Sequence, residues 1–258
     1  MLIMAFESSA KSASVALCRD GHLIGQYFQN SGLTHSRTLL PMAENLLRGS
    51  DLKTSDIDLF AVSQGPGSFT GVRIGVSAVK GLAWAGGTPV CGVSALEAMA
   101  WQVCSIAREN SLICAVMDAR RNQVYNALFT AWDEAPLRLC DDRAVSLEDL
   151  AAHITALSSE YSQPCLLVGD GAVLCRDYLT QLNIPCRLSP EPLLHQTAWG
   201  VALAAMTKDS VSAEALMPVY LRLPQAEREY NARMSALKSA GSDTGAGNSD
   251  STIDKEIL

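Results

Sequence analysis

The sequence predicts an α/β protein of two similar lobes, each a mixed five-stranded sheet with helices in the order βββαβαβα. Three observations point there. Short apolar runs alternate with stretches whose apolar residues recur at helical spacing, which reads as strands and helices taken in turn. The order of elements repeats, once in residues 1–107 and again in 108–210, although the copies share few residue identities. In both copies the first strand ends in an acid, Glu7 and Asp118. Two facing lobes would aim both carboxylates into one cleft.

In the first copy, Leu2 to Phe6, Ala13 to Cys18 and Leu23 to Gln29 read as strands, with Asp20-Gly21 as a hairpin turn. Thr34 to Arg48 is helical: Leu39, Ala43 and Leu46, with Leu40 and Leu47, fall at helical spacing, and Thr34 is placed to cap its start. Thr54-Ser55-Asp56 is a short helical turn, and Leu59 to Val62 a buried strand. A glycine turn follows, then a helix from Ser68 to about Gly86. Thr88 to Val93 is a strand, and Ser94 caps a helix through about Ala107.

In the second copy, Leu112 to Met117, Gln123 to Ala131 and Leu137 to Val145 read as strands. Ser146-x-x-Asp149 opens a helix to about Leu157 in the manner of a capping box. Pro164 to Val168 is a strand. Gly169-Asp170-Gly171-Ala172 leads into a helix to about Leu182. Pro185 to Leu188 is a short strand, and Gln196 to Met206 a helix. Residues 211–234 are expected to pack back on the lobes. Residues 235–258, rich in Ser, Gly, Asp and Thr, read as a disordered tail.

With 258 residues, 48% hydrophobic and 18% charged, the chain can bury full cores. Its net charge of −7 argues against free-standing, high-affinity nucleic-acid binding, which needs a basic face. The start Met1-Leu2-Ile3-Met4-Ala5-Phe6-Glu7 has no basic region before its apolar run, so it does not read as a signal peptide. No apolar run reaches spanning length. Eight widely spaced cysteines without a C-x-x-C read as buried reduced thiols, and a cytoplasmic location is expected.

The stretch Ser63-Gln64-Gly65-Pro66-Gly67-Ser68-Phe69-Thr70-Gly71 joins a strand to a helix through glycines. Such a turn cradles an anion when free N–H groups and the helix dipole converge on it. It is equally an ordinary capped helix start, because Ser68 or Thr70 would cap any helix. The helix that follows carries two small or apolar stripes, one of Gly71, Gly75, Ala78 and Ala85, and one of Val72, Val76, Val79 and Ala83. Packing on the sheet accounts for one stripe. The second predicts contact with the preceding helix or with another chain.

The acid-ending strand, repeated, resembles the phosphate-loop pattern of the actin, sugar-kinase and Hsp70 superfamily. Leu2-Ile3-Met4-Ala5-Phe6-Glu7-Ser8-Ser9, the glycine stretch through Gly75, Asp118-Ala119-Arg120-Arg121-Asn122-Gln123-Val124-Tyr125, Gly169-Asp170-Gly171-Ala172 and Pro218-Val219-Tyr220-Leu221-Arg222 narrow it. Together they resemble the TsaB (YeaZ) family over roughly residues 1 to 225. The resemblance implies two actin-like, ribonuclease H-like lobes. It also implies a non-catalytic subunit that pairs with a TsaD-like transferase and a TsaE-like ATPase. That assembly forms threonylcarbamoyladenosine at adenosine 37 of tRNAs reading ANN codons. It implies no cofactor in the isolated chain, with ATP and magnesium belonging to the complex, tRNA held through the complex, and a homodimer when the partner is missing.

The transferase relative carries His-x-x-x-His in the helix after the fifth strand, a spacing that puts two ligands on one face. Here those positions are Ala95 and Met99, and His22, His35, His153 and His195 have no histidine partner at i+3 or i+4, so no metal is expected. The helices Thr34 to Arg48 and Ser68 to Gly86 are the expected partner interface, through His35, Leu39, Met42, Leu46, Gly71, Val72, Gly75, Val76, Ala78, Val79 and Leu82. If nucleotide binds, the superfamily pattern marks Glu7, Ser8, Gly67, Asp118, Gly169 and Gly171. Glu7 stands where many superfamily members carry Asp, and its extra methylene alters any magnesium geometry. The competing readings are an ATPase or small-molecule kinase of the same fold, and a peptidase. The last lacks a ligand cluster or a nucleophile–base pair.

Overall fold

The computed structural model describes residues 1–222 except 109, 133, 134 and 162. The expectations for 223–258 lie outside the described residues. Residues 1–221 form one compact unit containing two sheets.

The first sheet holds β1 (Leu2–Glu7), β2 (Ala13–Arg19), β3 (His22–Gln29), β4 (Leu59–Gly65) and β5 (Val90–Ser94), in the order β3-β2-β1-β4-β5. The pairs β1–β2 and β2–β3 are antiparallel, and β1–β4 and β4–β5 are parallel. The Asp20-Gly21 hairpin forms as its residues demand. Both take positive φ, 49° and 81°, and Arg19 faces His22 across a two-residue turn.

The second sheet repeats the plan with β6 (Leu112–Asp118), β7 (Gln123–Trp132), β8 (Ala135–Arg138), β9 (Arg143–Ser146), β10 (Cys165–Val168) and β11 (Cys186–Leu188). Its main path, β11-β10-β6-β7-β8, has the five strands expected, and β9 joins it through β7 as a sixth. The single strand expected over 137–145 is two short ones, both paired with β7. Between them Arg138 donates to the Cys140 carbonyl at 3.2 Å and to Asp142 at 2.7 Å, which closes a turn there.

Among the described residues, six helices cover these sheets: α1 (His35–Gly49), α2 (Phe69–Gly86), α3 (Ala95–Cys104), α4 (Leu147–Leu157), α5 (Ala172–Gln181) and α6 (Ala198–Ala205). Ser68, Ser94 and Ser146 cap α2, α3 and α4 through their hydroxyls, whereas Thr34 makes no side-chain cap bond at α1. Helix α6 starts two residues later than its pattern suggests, because the side chains of Gln196 and Thr197 are bonded to Asp170 and Gln102.

The apolar residues sort into layers. Helices α1 and α2 pack on one face of the first sheet, around Phe6, Leu17, Phe60, Val72 and Val79. Helices α4 and α5 pack on the outer face of the second, around Leu128, Leu150 and Leu167. Between the sheets lie α3 and α6, and the halves exchange them. Helix α3, from the first half, covers the second sheet with Leu96, Met99 and Val103. Helix α6, from the second half, covers the first sheet with Ala198, Val201 and Ala205. Chain order therefore does not divide the two layers at residue 107. Gly200 lets the pair touch, since a Cβ there would overlap the Ala98 carbonyl. Fully burying one Val or Leu in such a layer contributes about 1.5–3 kcal/mol.

Candidate functional site

Strand β1 ends at Glu7 and β6 at Asp118. Glu7 is fully buried and accepts from the Ser9 N–H at 2.5 Å. Asp118 makes the matching bond to the Arg120 N–H at 2.7 Å, and pairs with the Arg120 side chain at 3.4 Å. Asp170, after β10, accepts from Gln196 Nε2 at 2.9 Å. Burial pushes the Glu7 carboxyl above its ordinary range, with the Ser9 bonds opposing this and Asp170 adding to it. Asp170 is raised for the same first reason, with Asp118 adding to the effect.

The glycine cradle is filled by the chain itself. The loop after β1 runs into it: Ser8 Oγ donates to the Gly71 carbonyl at 2.9 Å, and Ser68 N donates to the Ser9 carbonyl at 2.7 Å. A Cβ on Gly67 or Gly71 would overlap the carbonyls of Ser9 and Ser8, and one on Gly75 would overlap Ser8 Oγ. His35 Nε2 donates to the Ala10 carbonyl at 2.8 Å and ties α1 to the same loop. These glycines are there so that the β1–β2 loop can lie against α2.

The six nucleotide candidates are accordingly committed elsewhere. Ser8 and Gly67 hold the loop to the helix. Gly169 donates to Leu194 and Gly171 to Val116, and a Cβ at Gly169 would overlap the Val116 carbonyl. Glu7 is sealed, and only Asp118 keeps a partly exposed side chain. In this conformation the residues do not fit a nucleotide's phosphates. Among the described residues no three His, Cys, Asp or Glu side chains gather as a metal site. Ala95 and Met99 are buried in the core under the second sheet.

The interface candidates divide. Leu39, Met42, Leu46, Val72, Val76 and Val79 are buried against the first sheet, and Gly71 and Gly75 against the Ser8–Ser9 loop. These eight are corrected: the most apolar stripe of each helix packs on its own sheet, and the small stripe of α2 receives its own loop. His35, Ala78 and Leu82 stay accessible at the surface between α1 and α2. That surface is a groove of about 570 Å³ with walls from Ser36, Leu40, Phe69, Arg73, Ile74 and Ala78. It adjoins a second hollow of about 770 Å³ lined by Leu40, Pro41, Leu47 and Leu82. Leu40, 48% exposed, joins the two. Leu40, Phe69, Arg73 and Ile74 line this groove and were not among the expected interface residues. Leu40 is readable as an apolar residue off the core stripe.

One further segment reaches this face. Residues 211–221 run along the first lobe: Ala213 and Leu216 enter its core, and Val211 bridges to Val90. Lys80 Nζ donates to the carbonyls of Glu214 and Leu216 at 3.2 and 3.1 Å, and Val219 N donates to Gln64 O at 2.7 Å.

Two sheets ordered alike, with exchanged inner helices and acids at the ends of their first strands, define an actin-like two-lobed protein. The family model for TsaD, tRNA N6-adenosine threonylcarbamoyltransferase, matches residues 29–230. The chain is 30% identical to TsaB of Escherichia coli (strain K12), a tRNA threonylcarbamoyladenosine biosynthesis protein, over 86% of this chain and 95% of that one. It is 29% identical to TsaB of Bacillus subtilis (strain 168), over 89% and 98%. The structure of YeaZ from Pseudomonas aeruginosa superposes with a TM-score of 0.72 at 26% identity, over 85% of this chain and 99% of that one. The chain belongs to the TsaB (YeaZ) family, on the TsaD branch of the actin-like fold.

Proposed function

We propose that this chain is a non-catalytic subunit in the formation of threonylcarbamoyladenosine at adenosine 37 of tRNAs reading ANN codons. It pairs with a TsaD-like transferase through the α1–α2 face, and a TsaE-like ATPase and tRNA join that pair. The observation that carries this reading is the apolar groove between α1 and α2, with Leu40 exposed at its centre. A surface of this kind on a soluble-sized lobe marks a protein contact. The burial of Ala95 and Met99, where a transferase would need two ligands, supports assigning the chemistry to the partner. ATP and magnesium then belong to the complex, and the chain forms a homodimer when the partner is missing.

Co-purification of the chain with a TsaD-like protein from the same genome tests this. Leu40→Asp puts a charge in the groove without touching the core. Pairing should weaken at least tenfold, and modified tRNA formed by the reconstituted set should fall with it. Unchanged pairing would remove the α1–α2 face from the proposal.

A further inference from the structure

Among the described residues Arg73 is the arginine set against two aromatic rings, and no acid lies within ion-pair reach of it. The guanidinium carbon sits 3.8 Å from the Phe69 ring centroid and 5.8 Å from that of Tyr220. The two rings are 4.6 Å apart, and Arg73 Nε donates to the Tyr220 hydroxyl at 2.9 Å. With Nε used, the outer pair of guanidinium nitrogens has no hydrogen-bond partner among the described residues and forms a planar fork lining the groove with Leu40 and Ile74.

We propose that Arg73 is the anchor that receives a carboxylate from the partner helix docked between α1 and α2, and that the 211–221 segment serves to place Tyr220 against it. This rests on the docking face argued above. An arginine can pair both oxygens of a carboxylate while its face stacks on a ring, which a lysine cannot reproduce. Holding the side chain in advance removes part of the ordering cost of binding. An Arg with an aromatic neighbour beside an apolar groove has the composition of a binding hot spot.

Charge specifies the occupant. The chain carries −7 overall, yet the groove and the adjoining hollow are lined by Arg48, Lys53 and Arg73 against the single acid Glu44. An amphipathic helix with an acidic residue beside its apolar stripe complements this face. A nucleic-acid phosphate offers the same fork two oxygens, but the apolar groove beside Arg73 would be left uncovered by it.

The test measures the affinity of the full-length chain for the TsaD-like protein at two salt concentrations. Arg73→Gln should weaken pairing about tenfold and flatten its salt dependence. Arg73→Lys should recover little of the loss. Tyr220→Phe keeps the ring and removes the acceptor of the Nε bond. It should weaken pairing several-fold while leaving the melting temperature unchanged, and lose its effect in the Arg73→Gln background. If Arg73→Gln leaves pairing intact while Leu40→Asp abolishes it, the anchor is wrong and the docking face stands. If both leave pairing intact, the docking face itself is wrong. If Arg73→Gln spares pairing but lowers retention of tRNA by the complex, the ligand is a phosphate and the carboxylate proposal is overturned.

Discussion

Glu7 and Asp118 hold corresponding places in the two halves, and each accepts from the backbone N–H two residues ahead. Their surroundings have diverged. The loop after Glu7 is buried at Ser8, Ser9 and Ala10 and pressed into the glycines of α2. The loop after Asp118 stands open, with Arg120, Arg121 and Asn122 all at positive φ. The first half closes this loop with its own helix, whereas in the second half Gly169 and Gly171 press on the end of β6 itself and leave the loop open. A duplicated motif therefore reports a shared fold, while packing on each copy decides what chemistry survives there.

The contrast is sharpest at Gly71. Ala is normally preferred over Gly inside a helix, by roughly 1 kcal/mol. Gly71→Ala should nevertheless destabilise the protein, by about 1–3 kcal/mol, since its Cβ would overlap the Ser8 carbonyl. A raised urea midpoint for this variant would show that the loop is not clamped.

The next effect is on pH dependence. Glu7 binds its proton more tightly folded than unfolded, because burial raises its carboxyl. The native state then holds more protons, so stability falls as pH rises from the ordinary glutamate range through the raised value. Asp170 contributes with the same sign. Glu7→Gln should flatten that fall and leave the protein at least as stable above neutral pH. Chemical denaturation across pH 5–8 measures it, and a steeper fall in the variant would contradict the assignment.

Within α2, Gly81 serves as the internal control. A Cβ there meets nothing within 4 Å, so Gly81→Ala should stabilise by about 0.5–1 kcal/mol. Opposite signs for two glycines on one helix would isolate the loop as the cause. The smallest effect belongs to the open half. Asp118→Ala removes one backbone bond and an exposed ion pair, 73% accessible on the Arg120 side, and should cost about 1 kcal/mol or less in thermal melts.

Much of the fold was legible because strands and helices announce themselves locally. Asp20-Gly21, the serine caps and the repeated order of elements are all short-range signals. The break at Cys140 was not, because Arg138 closes it through a side-chain pair that no propensity encodes. The small stripe of α2 was legible as a close approach, but its occupant was not: Ser8 lies 63 residues from the Gly71 carbonyl it bonds. The same holds for the groove. An apolar stripe does not say which side faces the sheet: Leu39 and Val76 lie in the core, while Leu40 and Ile74 line the groove. The contact of Arg73 with Tyr220, 147 residues away, was equally out of reach of local patterns.

The exchanged helices also govern the order of events during synthesis. As residues 1–107 leave the ribosome, the face of the first sheet carrying Ile3, Ala61 and Val93 has no cover, since Ala198–Ala205 has yet to be made. Helix α3 is meanwhile waiting for β6, β7 and β10. Neither half can complete its core before nearly the whole compact unit has been translated. The nascent chain therefore carries exposed apolar surface through most of its elongation.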